Sequence, residues 1–453
     1  MIISGSDQRE AQTVLPFVNL KSFKTEGTVT LNDIGKLLID TVRNDLTPSL
    51  GVTEPGAIAY ASAAAARAVG GRVLSVRVKL NLGIYKNSFT CAVPGTGGMG
   101  CALAAALGAV CGDPDKKLMA TEGANRADIE EAKHLVSTGA AVAELASVSP
   151  DIFIEATVET DNGVAAATVR GRHDRLVSLI VNGRQEDIPC DEPDGPAEEF
   201  CVSSVPFSEI LRCVEKSQEL EFTDNAVEMN LALFEDGLRS GSIPLTFSRI
   251  PSPKSREEYA ERLTCGAIEA RVRGAASPAM AITGSGSHGI LCTLPIHAAA
   301  RFDGVEAERE HRALLLSMLV TRYIKELSGL LSTACGCVLA GGTGAALGLV
   351  YLYAGDRLEE RLTLALDSMA ASVTGMICHG GNTGCSLKAA VGVKMAFAAA
   401  KMALEDCGAE SVHGILGASA DETMRNMSRI ARDMLPVENS IIDIMRKKSG
   451  NGA

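Results

Sequence analysis

Between Leu327 and Gly355 the chain runs for 29 residues without a charged side chain, and seven of them are glycine (329, 336, 341, 342, 344, 348 and 355). The run is longer than the roughly 20 residues needed to cross a bilayer. Glycine at this density interrupts a spanning helix, however. Upstream, Arg322, Lys325 and Glu326 follow a helical pattern with no aromatic belt. No second long uncharged run supports a transporter. The segment therefore reads as a glycine-interrupted helix pair buried in a protein core.

The rest of the composition narrows the partners. The 453 residues carry 43 Lys plus Arg against 55 Asp plus Glu, and aromatics make up only 4%, with no Trp. An acidic chain so poor in stacking groups excludes nucleic acid as an expected partner. The first thirty residues lack the basic, apolar and small-residue regions of a signal peptide. Thirteen cysteines, an odd number, then point to reduced thiols and a cytoplasmic location rather than a disulfide frame.

Periodicity divides the chain. Residues 1–45 form an N-terminal extension ending in a helix, with Ile34, Leu37, Leu38 and Val42 at helical spacing. From 46 to 190 the pattern is α/β. A helix begins near Thr53-Glu54-Pro55 and ends at Gly70-Gly71, and VLSVRVKLNL follows as a strand. A short strand is expected at Ser88–Val93, an Ala/Leu helix ends near Gly112, and a charged helix spans about 126–139. Three further strands come from IFIEATVET, VAAATVRG and RLVSLIVNG, joined by good turn sequences. A Pro/Asp/Glu-rich linker at 191–203 precedes an all-helical domain at 204–453. The expected fold class is thus an α/β domain followed by an all-α, glycine-interrupted domain.

Four segments could carry chemistry. Cys335 and Cys337 lie in STACGCVLAGGTG, and Cys378 and Cys385 flank His379-Gly380-Gly381-Asn382-Thr383-Gly384. Glycines let backbone amides approach sulfide ions, so three thiolates here could hold a cluster with one iron left open. The same residues with His379 make a Cys3His zinc set, and buried apolar thiols fit the spacing equally well. The loop Pro94–Gly100 follows a strand and precedes a helix, a place for an anion or simply a tight turn. Thr283-Gly284-Ser285-Gly286-Ser287-His288 is either a polar pocket or a helix cap.

Taken in order, LGVTEPGAIAYA, IYKNSFTCAVPGTGGMG, ITGSGSHGI, CGCVLAGGTGAALG, GMICHGGNTGC and DETMRNMSRIARDM give the chain a strong likeness from about residue 35 to 447. It resembles the L-cysteine desulfidase family, itself related to the iron–sulfur L-serine dehydratases. The resemblance implies an α/β domain like the serine dehydratase beta domain, then a helical domain with an oxygen-sensitive 4Fe–4S cluster on three cysteines. By motif the ligands are Cys378, Cys385 and Cys337, with Cys335 the alternative to Cys337. Two positions depart from the pattern. Val52 stands where the family has its active-site cysteine, and His379 where relatives more often have an acid.

The activity so implied is PLP-independent β-elimination from L-cysteine, giving pyruvate, ammonia and sulfide. The alternatives are an L-serine dehydratase, or a cluster-binding relative that lost desulfidase activity with Val52. Elimination needs a base for the Cα proton, an electrophile for the leaving group and a grip on the carboxylate. The open iron would be the electrophile. Candidate bases are His288, Glu54 and His379. Thr96, Ser285 and Ser287 are the expected carboxylate contacts, with Thr53, Lys86, Asn87 and Gly97 as further substrate-binding residues. A small amino acid is the expected partner, and the Ala/Gly-rich helices allow a homodimer without requiring one.

Overall fold

The structure, a computed structural model, describes residues 31–147, 151–188, 200–245 and 247–449. The extension at 1–30 and most of the expected linker lie outside them.

The helices are α1 (Leu31–Asp45), α2 (Thr53–Val69), α3 (Leu82–Ser88), α4 (Cys101–Cys111), α5 (Arg126–Ser137), α6 (Phe207–Lys216), α7 (Phe222–Ser240), α8 (Arg256–Val272), α9 (Gly286–Asp303), α10 (Ala307–Ser328), α11 (Thr343–Tyr353), α12 (Leu358–Val373), α13 (Gly384–Leu404), α14 (Ala420–Asp433) and α15 (Val437–Ser449). The strands are β1 (Thr47–Ser49), β2 (Val73–Asn81), β3 (Ala141–Ser147), β4 (Phe153–Thr160), β5 (Gly163–Arg170), β6 (Leu176–Val181), β7 (Arg184–Gln185) and β8 (Ala279–Ala281).

Six strands form one sheet in the order β3-β2-β4-β5-β6-β7, antiparallel except where β3 runs parallel to β2. Along β2 and β4 every second residue is buried: Val76, Val78 and Leu80, then Ile154, Ala156 and Val158. That period turns one face onto α2 and α4 and leaves the other to solvent. On the wet face Lys79 pairs with Glu155 at 2.8 Å and Arg77 pairs with Glu144. The Ala-rich α2 packs closely on α4 because Gly108 offers no side chain; a Cβ there would meet the Ala59 carbonyl at 2.2 Å.

The second core is helical. Ile34, Leu38 and Val42 of α1 belong to it, and β1 pairs antiparallel with β8, so the chain's first described elements belong to its last half. The expected boundaries at 45/46 and 204 therefore part segments that pack together. A further small cluster joins α3 to α15 through Leu82, Ile441, Ile442 and Met445.

Three local expectations need correction. Ser88–Val93 is not a strand: α3 ends at Ser88, and Ala92 makes only an isolated bridge to Met99. The segment's backbone groups bond to the turn that follows rather than to a neighbouring strand: Val93 N–H donates to the Gly98 carbonyl and Gly100 N–H to that of Cys91, each at 3.0 Å. Second, β3 follows α5 where no strand was expected. Third, the uncharged run is not a helix pair. It is an irregular segment, a π-helical turn at Cys337–Gly342 and the single helix α11. Among the described residues no helix is long and apolar enough to cross a membrane.

Candidate active site

A cavity opens between the two halves. The first half contributes Val52, Glu54, Asn87 and His173, and the second contributes Arg271, Ser285, Ser287, His288, Lys325 and Lys388 together with Cys335, Cys337, Cys378 and Cys385.

The two cysteine segments are held side by side by backbone bonds. Cys335 N–H donates to the Met376 carbonyl at 2.7 Å, and Cys378 N–H donates to that of Thr333 at 2.6 Å. The π-helical turn then begins at Cys337; such widened turns recur at functional sites. The second segment is pinned to α3, since Gly381 N–H donates to the Asn87 carbonyl at 3.1 Å. Gly380 has φ +96°, and a Cβ there would lie 2.5 Å from the Lys86 carbonyl, so this close crossing requires glycine. Val52 packs on the same loop; a Cβ on Gly381 would come within 3.2 Å of its methyl groups.

The thiols differ. Cys335 and Cys337 sulfurs are 3.3 Å apart. Hydrogen bonding between them holds Cys335 below and Cys337 above the usual thiol range. Burial raises Cys385 to about 12. Cys378 donates to Asn87 Oδ1 at 3.7 Å, and Asn87 Nδ2 in turn donates to Glu54 Oε1 at 2.6 Å.

Cations surround these sulfurs. Lys325 is almost wholly buried and burial pushes it down to about 8, opposed by Cys378 and Cys335. Burial works to lower Lys86 as well, but Cys378 and Glu438 outweigh it and its pKa is raised. Lys86 Nζ donates to Glu438 Oε1 of α15 at 2.5 Å and to the Ser332 carbonyl at 3.5 Å, and Lys86 itself is not among the cavity-lining residues.

His288 sits in the first turn of α9, 5% exposed. Its Nδ1 is 2.7 Å from Thr283 Oγ1, whose own proton goes to the Ile282 carbonyl at 2.7 Å. The hydroxyl must therefore accept from Nδ1–H, leaving Nε2 with the lone pair. Burial and the Lys325 and Arg271 charges hold this imidazole well below its ordinary pKa, hence neutral. Gly336 leaves Nε2 open, since a Cβ there would be 2.6 Å from it.

Other expected residues lie elsewhere. Thr96 Oγ1 donates to the Val93 carbonyl at 2.8 Å and accepts from Gly98 N–H at 3.0 Å, and Gly97 is exposed. Neither lines the cavity: the Pro94–Gly100 segment folds back on itself and is tied to the chain just after α8, where Gly95 N–H donates to the Gly274 carbonyl at 3.3 Å. His379 is also outside the lining, with Nδ1 3.2 Å from Asn382 Nδ2 in its own loop. Thr53 is fully buried and accepts from Arg271 at 3.1 Å.

Sequence reasoning missed Arg271, His173, Lys325 and Lys388. Arg271 is 3% exposed near the end of α8, and burial lowers its pKa. It donates to Ser287 Oγ at 2.8 Å as well as to Thr53. His173 reaches in from the turn between β5 and β6, and burial holds it neutral. Only Lys325 carried a sequence signal, as a basic residue in the last helical turn before the uncharged run.

Residues 209–437, half of the chain, match the family described as serine dehydratase alpha chain. The chain belongs to that family. Its relatives include the UPF0597 protein of Clostridium botulinum (strain Langeland), 38% identical over 91% of this chain and 99% of its own length. The UPF0597 protein of Caldanaerobacter subterraneus subsp. tengcongensis is 34% identical over 91% and 98%. That of Geobacter sulfurreducens is 34% identical over 90% and 98%. The serine dehydratase alpha chain match begins inside α6 and takes in all four cavity cysteines, Arg271 and His288, whereas Glu54, Asn87 and His173 precede it.

Does the donor set suit an iron–sulfur cluster? Among the described residues no three His, Cys, Asp or Glu side chains already stand at metal-holding spacing. The chemistry of the lining nonetheless fits. Four soft sulfur donors come from two glycine-relieved loops, and Lys325 and Lys388 are there to balance an anionic group.

Proposed function

We propose that the protein is an iron–sulfur-dependent lyase that eliminates the β-substituent of a small L-amino acid, L-serine or L-cysteine. The observation that carries this reading is the facing of four thiols and the free Nε2 of a neutral histidine across one cavity. Cys337, Cys378 and Cys385 would hold a 4Fe–4S cluster, with Cys335 beside Cys337 as the spare thiol. When bound, the cluster would supply a Lewis acid for the departing oxygen or sulfur.

His288 Nε2 takes the Cα proton, since it bears the lone pair and stays unprotonated at neutral pH. Thr283 fixes that tautomer through Nδ1. As the Cα–H pair shifts to form the double bond, the Cβ–O or Cβ–S bond breaks and its electron pair leaves with the substituent. The aminoacrylate released tautomerises and hydrolyses to pyruvate and ammonia. In this reading Glu54, which accepts from Asn87, pairs with the substrate ammonium, and His288 is the base.

The match to the serine dehydratase alpha chain family favours a hydroxyl leaving group. Desulfidation of L-cysteine is the second reading, favoured by the resemblance of the six motifs, although Val52 replaces that family's thiol. Anaerobic iron–sulfide reconstitution followed by separate assays of pyruvate, ammonia and sulfide decides between them. Pyruvate from neither amino acid would overturn the lyase reading. Loss of bound iron in the Cys378→Ser and Cys385→Ser variants tests the ligand set independently of turnover.

A further inference from the structure

Two buried polar side chains in the cavity lack partners of the kind their chemistry demands. Arg271 has its two terminal nitrogens on neutral hydroxyls, Ser287 and Thr53, while its Nε has no hydrogen-bond partner. Among the described residues no carboxylate forms an ion pair with it, although it is 3% exposed. A buried guanidinium without an anion is costly, and guanidinium planes match carboxylates. His173 is 5% exposed, and its Nε2 is likewise buried and unbonded. Other unpaired buried atoms occur elsewhere in the fold, such as Ser248 Oγ and Thr264 Oγ1, but these two belong to residues that line one cavity, where a ligand could pair them.

The backbone beside both is stripped of side chains. A Cβ on Gly286 would stand 2.6 Å from Arg271 Nε, and one on Gly284, at φ +71°, would stand 2.9 Å from His173 Nδ1. The two residues also come from opposite halves of the molecule, Arg271 from α8 and His173 from the β5–β6 turn.

We propose that Arg271 and His173 form the seat of the substrate's α-carboxylate, the guanidinium supplying the charge and the imidazole N–H a second donor. This inference rests on the amino-acid lyase reading and assigns the grip that the Pro94–Gly100 turn does not provide. Ser287 and Thr53 are positioning residues here, holding the guanidinium in place.

The test is calorimetric titration of the full chain with L-alanine, which has no leaving group, and with L-alaninamide, which has no carboxylate. Wild type should bind L-alanine in preference to the amide. Arg271→Gln and Arg271→Lys should each weaken L-alanine binding, by about 10-fold or more for Gln, and leave the amide unchanged. His173→Leu should weaken it too, while His173→Gln, which keeps an N–H donor, should restore most of it. With L-serine as substrate the same variants should raise KM more than they lower kcat. Equal losses for L-alanine and its amide would mean structural damage and overturn the proposal. So would pyruvate formation from L-serine with KM unchanged in Arg271→Lys and His173→Leu, and that outcome would leave the lyase reading intact. Arg271-dependent binding of propionate, with no pyruvate from any amino acid, would uphold the seat and sink the lyase reading.

Discussion

The Cys378 amide donates to the Thr333 carbonyl at 2.6 Å, locking two segments that lie 45 residues apart in sequence. With the reciprocal bond from Cys335 to Met376, the cysteine loops are aligned by backbone alone. Serine at position 378 or 385 should therefore leave the fold intact. Urea denaturation of the metal-free variants should shift by less than about 1 kcal/mol, while iron uptake on reconstitution falls sharply.

Gly336 has φ −56° and ψ −34°, so alanine fits its backbone. What alanine cannot do is avoid His288 Nε2 at 2.6 Å and Lys325 Nζ at 3.2 Å. Gly336→Ala should cost about 1–3 kcal/mol of stability by overpacking. Under the proposed chemistry it should also lower kcat by about 10-fold or more, measured against L-serine.

Thr283 holds φ +51°, an uncommon conformation for a β-branched residue, strained by about 1–2 kcal/mol. Its hydroxyl reaches His288 from there. Thr283→Gly should keep or raise thermal stability yet reduce kcat, because the imidazole loses its orienting partner. Thr283→Ser should recover activity.

Lys86 and Glu438 form an ion pair with side chains only 1% and 2% exposed. Removing the anion leaves a buried ammonium without its partner. Glu438→Gln should destabilise by about 3–5 kcal/mol in chemical denaturation.

His173 and His288 are both held below the ordinary histidine pKa by burial. Between their depressed folded values and about 6.5 the unfolded chain binds more protons, so unfolding free energy rises with pH. Their contribution is present above about 6.5 and lost as pH falls below it. His173→Leu should flatten that loss in urea titrations at pH 5 to 7.5.

Much of this was legible in the residues, for physical reasons. Loose alternation marked β2, β-rich runs between turn sequences marked β4, β5 and β6, and the Gly70-Gly71 and Gly112 stops bounded α2 and α4. Cysteine and glycine spacing picked out the thiol loops, and His288 stood in a recognisable hydroxyl-rich turn. What stayed hidden depended on tertiary packing. Arg271 looks like any arginine near a helix end, and His173 like a turn residue on a solvated hairpin. Thr96 failed in the other direction: its hydroxyl serves its own turn, as such residues often do. Lys86 was read as a substrate contact, but α15 supplies its carboxylate from more than 350 positions away.

The pairing of β1 with β8 has a practical outcome for anyone dividing this molecule. The helical body is assembled from both ends of the polypeptide, with the sheet spliced between them. A fragment starting after the acidic connector would lack α1 and β1, exposing the greasy surface that Ile34, Leu38 and Val42 normally cover. Excision of the sheet with a short bridge, rather than truncation, is the dissection that respects this topology.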